Sequence, residues 1–249
     1  MKSISKSFYL FIFGLSAFVV TSCGGSGDEQ NLSPELNFMM YSACCFDGQP
    51  VASDSPTFHA LFEEPGTPTL TLDETQDLSL INNYDVMYVL QDDIDTFSDV
   101  NMATVRNWVA EGGILVILPD GPSGDSTFGS FLGATYSFTS IGELDGDTVV
   151  VTDPNHKILN FPNILDAADL SNWGSSTHGA FEAVGSAYNC VANDTDGANE
   201  VISLCAASYQ AGQIILSAFD PECDCHDDHL DGGTNSAAEL LENYIMIRQ

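Results

Sequence analysis

The segment from Phe219 to His229, FDPECDCHDDH, concentrates side chains that could carry chemistry. His226 and His229 are separated by three positions, which places both imidazoles on one face of a helical turn. Together with Asp227 and Asp228 they could bind zinc, copper or another divalent ion. A solvated acidic loop after the last strand explains the same residues and is favoured over the metal site.

The N-terminus predicts export and a lipid anchor. Lys2 and Lys6 precede an apolar run, Phe8 to Val20, that is too short to cross a bilayer comfortably as a helix. The small residues that follow end in Cys23, which resembles the lipidated cysteine of a bacterial lipobox. Such a lipid would attach the chain to a membrane without a spanning segment. Gly24 is not the aspartate that typically retains lipoproteins at the inner membrane, so the outer membrane or the cell surface is favoured.

Length and charge limit the organisation and the partners. We expect a lipoprotein signal peptide at residues 1–22, a flexible linker at 23–35 and one α/β domain at 36–249. The chain has 36 acidic and five basic residues, giving a formal net charge of −31. A surface this acidic repels nucleic acid, so no nucleic-acid partner is expected. It suits cations, so a divalent metal, zinc or calcium, is the cofactor that the sequence allows.

The cysteines predict disulfides. Besides Cys23 the chain contains six: Cys44, Cys45, Cys190, Cys205, Cys223 and Cys225. An even number in an exported protein favours disulfides. The first two and the last two could instead supply four thiolates to a zinc ion, but adjacent cysteines and a Cys-x-Cys spacing are tight for structural zinc. Two disulfides among those four are favoured, and the sequence leaves their pairing open.

The segment from Asn193 to Glu200 predicts a hairpin turn. If the turn is centred between Gly197 and Ala198, Cys190 and Cys205 lie at equal distances from the centre and face each other, within disulfide reach. The turn also carries oxygen ligands of the kind that calcium prefers: Asp194, Asp196, Asn199 and Glu200. Their spacing is not that of an EF-hand, so an ordinary turn is favoured.

Alternating strands and helices in the first half predict a parallel sheet. Apolar runs predict strands at residues 36–43, 68–72, 84–90 and 114–118. Apolar residues at three- and four-residue steps predict a helix before the last of these strands, capped by Ser98 or Asp99 and ended by Gly112 and Gly113. Further short helices are expected at residues 55–64 and 128–132, and an acidic loop at 91–95.

The second half predicts shorter connections and antiparallel pairing. Strands are expected at residues 148–152, 188–192, 201–206 and 213–218, followed by an amphipathic helix at 236–247. His178 lies between two of these strands, and we treat it as structural. A pocket that it would line with His156 and Trp173 is the alternative.

Three stretches resemble the class I glutamine amidotransferase-like superfamily. YDVMYVLQDD with VRNWVAEGGILVIL resembles the strand, helix, Gly-Gly and strand that lead to the family's nucleophile turn. FGSFLGATYS resembles the helix after that turn, and ILSAFDPE resembles the terminal strand with its Phe-His-Pro-Glu motif. The resemblance covers most of residues 36 to 247. It implies a flavodoxin-like layered sheet, mostly parallel, with an antiparallel C-terminal extension.

The residues at the family's catalytic positions differ. Catalytic members place a cysteine in a Gly-x-Cys-x-Gly turn, and a histidine lowers the pKa of its thiol. Here the strand leads into LPDG, with Pro119 or Asp120 in the place of the cysteine. Asp220 occupies the histidine position, and the acidic partner Glu222 is kept. The resemblance therefore implies that the Cys-His pair has been lost.

Two functions fit these observations. The favoured one is a lipid-anchored, non-catalytic ligand-binding or interaction module, with its ligand or protein partner unidentified. The alternative is a metal-dependent hydrolase with a rebuilt site around the FDPECDCHDDH loop, in which His226 and His229 hold a metal that activates water. Either site would lie at the carboxyl ends of the strands, where open α/β sheets bind ligands.

Overall fold

The described part of the chain is built around an 11-stranded mixed sheet. The computed structural model describes residues 36–42, 70–119, 127–146, 148–171, 177–196, 199–219 and 236–247. Its strands are β1 (Leu36–Met40), β2 (Leu70–Glu74), β3 (Val86–Leu90), β4 (Ile114–Leu118), β5 (Thr127–Ser130), β6 (Ser137–Gly146), β7 (Val149–Val151), β8 (Thr177–Val184), β9 (Asn189–Asp196), β10 (Asn199–Tyr209) and β11 (Gly212–Ser217). Its α-helices are α1 (Gln91–Asp95), α2 (Asp99–Ala110) and α3 (Ser236–Met246), and 3₁₀ turns occupy Leu78–Asn83, Ala134–Tyr136 and Lys157–Leu159.

One half of the sheet is parallel, as the sequence predicted. Its strand order is β2-β1-β3-β4-β11, and each neighbouring pair runs in the same direction. The order continues through β10, β8, β6 and β5 with antiparallel pairing. Strand β9 also pairs with β10, and β7 pairs with β9, both antiparallel. The predicted α/β fold class, with a parallel central part and antiparallel strands beside it, is confirmed, but the antiparallel strands do not form the C-terminal extension that was expected. In the chain, the antiparallel strands are inserted between β4 and β11.

Two apolar clusters cover the two faces of the parallel strands. Alternate residues of β4 enter different clusters, with Ile114 and Val116 in one and Leu115 and Ile117 in the other. Helix α3 packs into the first cluster and α2 into the second. Every residue of β4 is buried, because the strand has a neighbour on each side and a helix on each face. The continuous run ILVIL therefore marks the centre of the layered sheet.

Helix α2 begins and ends where the sequence predicted. Ser98 is the N-cap, and its Oγ accepts a hydrogen bond from Asn101 N at 3.2 Å. Gly112 follows the helix with φ of 120°, a conformation that favours glycine. Gly113 serves a different purpose, since a Cβ there would lie 2.4 Å from the Trp108 ring. The second glycine lets the indole lie flat against the backbone.

The region after β4 differs from the prediction. Residues 128–132 were expected to form a helix, but Phe128 lies in β5 and pairs with Thr139 of β6. The stretch FGSFLGATYS accordingly forms a strand, a bend, a 3₁₀ turn and the start of β6. A window of five residues is too short for apolar periodicity to separate helix from strand, and Gly129 weakens any helix there. Residues 91–95, expected as a loop, form the single turn α1.

The hairpin between β9 and β10 has the predicted register. Asp196 pairs with Asn199, which centres the turn between residues 197 and 198. Cys190 pairs with Cys205, and their sulfur atoms form a disulfide. Irregular pairing around Leu204 bends the strands without changing the register of the two cysteines. The predicted disulfide is confirmed.

Within the described ranges, no helix is long and apolar enough to cross a membrane.

Candidate functional site

The carboxyl ends of β4 and β11 lie side by side, and the residues that the sequence resemblance aligns with catalytic positions follow these two strands in the chain. Ile117 of β4 pairs with Leu216 of β11, so the residues that follow these strands emerge side by side. Pro119 follows β4 directly, and Phe219 ends the described segment after β11. We call this edge the strand-end rim. It matches the placement that ligand sites have in open α/β sheets.

Polar groups at the strand-end rim hold its segments together. Ser42 Oγ donates to Asp93 Oδ2 at 2.6 Å and accepts from Leu90 N at 2.9 Å. These two bonds attach the end of β1 to the end of β3 and to α1. Gln91 is fully buried, and its Oε1 accepts from Ser140 Oγ of β6. The hydroxyl and amide groups here satisfy buried structure and are not directed at an open site.

A carboxylate of α1 is electrostatically perturbed. Burial raises the pKa of Asp95 above its usual value, the hydrogen bond from Gln91 opposes that shift, and Asp92 adds to it. The bond from Gln91 Nε2 to Asp95 Oδ2 is long, at 3.4 Å. Neither an imidazole nor a thiol is among the causes of this pKa shift. A raised pKa by itself gives this carboxyl group no partner for acid–base catalysis.

Pro119 packs against a glycine of β8. Gly179 has φ of 76°, and a Cβ at that position would lie 2.6 Å from Ile141 O and 2.9 Å from Pro119 Cγ. The glycine in the sequence HGAF is therefore needed for the close approach of β8 to β6 and to the residue after β4. His178 lies next to it in β8, opposite Asp145. Pro119, one of the two residues that the sequence resemblance aligns with the nucleophile turn, therefore makes a packing contact with β8.

Most of the predicted chemical residues lie outside the described residues. They are Cys23, Cys44, Cys45, Asp120, Asp220, Glu222, Cys223, Cys225, His226, Asp227, Asp228 and His229. The lipidation, the two further disulfides and the metal site therefore stay predictions. Among the residues that are described, no three His, Cys, Asp or Glu side chains come together to hold a metal.

The hairpin that was considered for calcium uses its central carboxylate internally. Asp194 is 2% exposed. Its Oδ2 accepts from Thr177 Oγ1, and its Oδ1 accepts from Thr195 N at 2.5 Å. A buried carboxylate that accepts two protein donors is already satisfied. These contacts support an ordinary hairpin.

A cleft of about 460 Å³ lies at the opposite end of the sheet from the strand-end rim. Gln213, which lines it, pairs with Ile114 at the start of β4 and so marks the amino ends of the parallel strands. We call it the amino-end cleft. Its polar lining comes from six residues: Thr135, Tyr136, His156, Asn189, Ser208 and Gln213. Of these the sequence singled out only His156, as part of a different pocket; Trp173 of that pocket lies outside the described residues.

The imidazole in the amino-end cleft is fixed by the backbone. His156 precedes the 3₁₀ turn Lys157–Leu159, and Ile158 N donates to its Nδ1 at 3.2 Å. In the neutral ring the proton then resides on Nε2. Burial lowers the pKa of His156 below its usual value of 6.5, and the carboxylate of Asp153 opposes that shift. At neutral pH the cleft therefore contains an uncharged imidazole with one free donor direction.

His156 is expected to make the protein less stable in mild acid. Because its folded-state pKa is lowered, the unfolded chain takes up the proton first, and stability is lost as the pH falls below about 6.5. His156→Asn keeps a side-chain acceptor at the N-cap but does not titrate. Urea unfolding at pH 8 and pH 5 should show that wild type loses more stability than the variant. An equal loss in both proteins would show that His156 contributes nothing to the pH dependence.

The sequence has no match among family models or curated proteins, whereas its fold matches solved structures. The cytoplasmic protein STM3548 from Salmonella typhimurium is 12% identical with a TM-score of 0.50, covering 84% of this chain and 97% of that one. The N-terminal domain of mmIFT52 is 9% identical with a TM-score of 0.50, covering 85% and 96%. A putative thua-like protein from Bacteroides uniformis is 12% identical with a TM-score of 0.48, covering 89% and 95%. Similarity at these identities shows the fold alone, an α/β layered sheet with parallel and antiparallel strands.

Proposed function

We propose that this protein is a lipid-anchored, non-catalytic binding or interaction module of the bacterial cell surface. The observation that carries the proposal is the kind of residue that follows β4 at the strand-end rim. Pro119 stands directly after the central strand β4 and packs on Gly179. By the sequence resemblance, Pro119 or Asp120 takes the place of the catalytic cysteine, and neither residue supplies a thiol nucleophile.

The sequence after β11 supports the same conclusion. The order Phe219-Asp220-Pro221-Glu222 keeps the family's pattern except at the histidine position, where an aspartate stands. In the family, the histidine at the position of Asp220 lowers the pKa of the catalytic thiol, and the glutamate at the position of Glu222 is the acidic partner of that histidine. An aspartate at the histidine position performs neither task. The two strands that precede the cysteine and histidine positions in the chain, β4 and β11, are neighbours in the sheet.

The anchor follows from the N-terminal sequence. A lipid on Cys23 would keep the domain at a membrane, and the polar stretch up to residue 35 would give it reach. Cell fractionation tests this part of the proposal. We expect Cys23→Ala to move the protein from the membrane fraction to the soluble fraction. Retention of the variant in the membrane fraction would contradict the anchor.

Turnover assays test the non-catalytic role. The purified full-length chain is incubated with glutamine, with a p-nitrophenyl ester and with a p-nitroanilide, with and without added zinc. We expect product to form no faster than in buffer, and Asp220→Ala and Glu222→Ala to behave as wild type does. Saturable turnover that either variant abolishes would show that the rim is an active site and would overturn the proposal.

A further inference from the structure

We propose that the amino-end cleft is a binding site for an uncharged, hydroxyl-rich ligand, the pyranose rings of a saccharide. The inference rests on the proposed role as a binding module and gives that module a site and a ligand class. The site lies away from the strand-end rim, on which the family resemblance would place the chemistry. Its shape, its polar groups and its lack of charge each support the assignment.

The cleft has the size of a small-molecule site. Its volume of about 460 Å³ falls within the roughly 300–1,000 Å³ that such sites occupy. Small side chains create the space, because Ala206 and Ala207 of β10 and Ala187 before β9 line it. Strand β9 starts at Asn189, which pairs with Ala206, so β10 continues past the end of its neighbour. A concave surface therefore forms where β10 extends beyond β9.

The polar groups of the cleft match vicinal hydroxyls. The amides of Asn189 and Gln213 each offer donors and an acceptor, and His156 Nε2 adds a donor. Gln213 and Ser208 contact each other at 3.3–3.4 Å, which is long for hydrogen bonds and leaves both groups able to turn toward a ligand. A sugar hydroxyl both donates and accepts, so it can satisfy such mixed partners at once.

An aromatic ring lines the same space and is held in place. Tyr136 makes edge contacts with Tyr188 and Tyr209, at centroid distances of 6.1 and 5.8 Å. Its hydroxyl donates to Ser208 O at 3.1 Å. A fixed aromatic ring supplies apolar surface for the C–H groups of a pyranose, with no loss of ring mobility on binding.

The lack of charge separates a saccharide from other polar ligands. No Asp, Glu, Lys or Arg is among the described residues that line the cleft, although the chain carries 36 acidic residues. A phosphate or carboxylate ligand would find no Lys or Arg there and would be repelled by the net charge of −31. A cationic ligand would find no carboxylate among the described lining residues, and the nearby Asp153 already accepts a hydrogen bond from Asn189 Nδ2 at 3.4 Å. A neutral polyol is left as the matching class.

Isothermal titration calorimetry tests the assignment. The full-length chain, kept in a detergent without a sugar headgroup, is titrated with lactose, maltose and cellobiose. Glucose 6-phosphate and adenosine serve as charged and aromatic comparisons. We expect at least one disaccharide to bind with a millimolar or tighter Kd, and neither comparison ligand to bind.

Two variants locate the binding. Asn189→Leu and Gln213→Leu remove the amides while keeping similar volume, and each is expected to weaken binding about tenfold or more. Asn82→Leu, an exposed asparagine of the turn Leu78–Asn83, is the matched control and should bind as wild type does. Asn189 is also exposed, so its variant should fold even if Gln213→Leu does not; circular dichroism checks both.

The outcomes distinguish the site from the function. If no disaccharide binds, if adenosine or glucose 6-phosphate binds instead, or if both amide variants bind as wild type does, the site assignment is wrong. The proposed non-catalytic role would still stand on the turnover assays. If a disaccharide binds at the cleft and the strand-end rim hydrolyses an ester or amide, the site assignment holds and the proposed function fails.

Discussion

Removal of the Cys190–Cys205 disulfide is expected to lower the free energy of unfolding by about 3 kcal/mol. The bridge closes a loop with a sequence separation of 15 residues, and the loss comes mainly from the greater freedom of the unfolded chain. Cys205 is also fully buried in the cluster that contains Trp108, so its sulfur contributes to packing. Urea unfolding of the double variant Cys190→Ala/Cys205→Ala, compared with wild type under oxidising conditions, measures the effect.

The single variants separate the cross-link from the packing. Cys190→Ala removes the bridge but leaves the buried Cys205 in place, so most of the destabilisation should already appear there. Cys205→Ala should add the smaller cost of a lost buried sulfur. A loss of less than 1 kcal/mol in Cys190→Ala would mean that the bridge does not constrain the chain as its loop length implies.

Trp108→Ala is expected to destabilise the protein by about 3–5 kcal/mol. The indole is 5% exposed, lies in the cluster between α2 and the sheet, and donates from Nε1 to Tyr84 O at 3.0 Å. Its loss leaves a cavity and a backbone oxygen without its donor. Trp108→Phe keeps the aromatic packing but not the donor, so it should cost about 1–3 kcal/mol.

A double-mutant cycle with Gly113 tests the flat contact of the indole. Gly113→Ala places a methyl group against the ring, which should cost about 1–3 kcal/mol in the wild-type background. In the Trp108→Ala background the methyl group has room, and the cost should fall sharply. Additive effects would show that Gly113 and Trp108 are not coupled.

The parallel half of the fold could be predicted because its signals are long and redundant. A continuous apolar strand such as ILVIL can only be buried on both faces, and the spacing in α2 fits only a helix. The role of Gly113 could not be predicted in the same way. A Gly-Gly pair after a helix indicates a helix end, and only the packing shows that its second member makes room for Trp108.

The antiparallel half shows where sequence patterns are insufficient. The pairing of Cys190 with Cys205 was predictable from equal distances to one turn. By contrast, β5 was wrongly predicted as a helix, because four residues with a central Gly129 carry no period and their pairing partner β6 was unknown. The amino-end cleft also escaped prediction. Its residues come from five separate parts of the chain, and small alanines in a strand carry no signal for a cavity.

Metal analysis of the purified full-length chain tests the central claim most directly, because the alternative function requires a metal bound by His226 and His229. Mass spectrometry of dialysed protein would measure zinc, copper and calcium per chain, for wild type and for His226→Ala/His229→Ala. A non-catalytic domain predicts far less than one metal ion per chain in both proteins. One tightly bound ion per wild-type chain, lost in the double variant together with ester or amide turnover, would contradict the account.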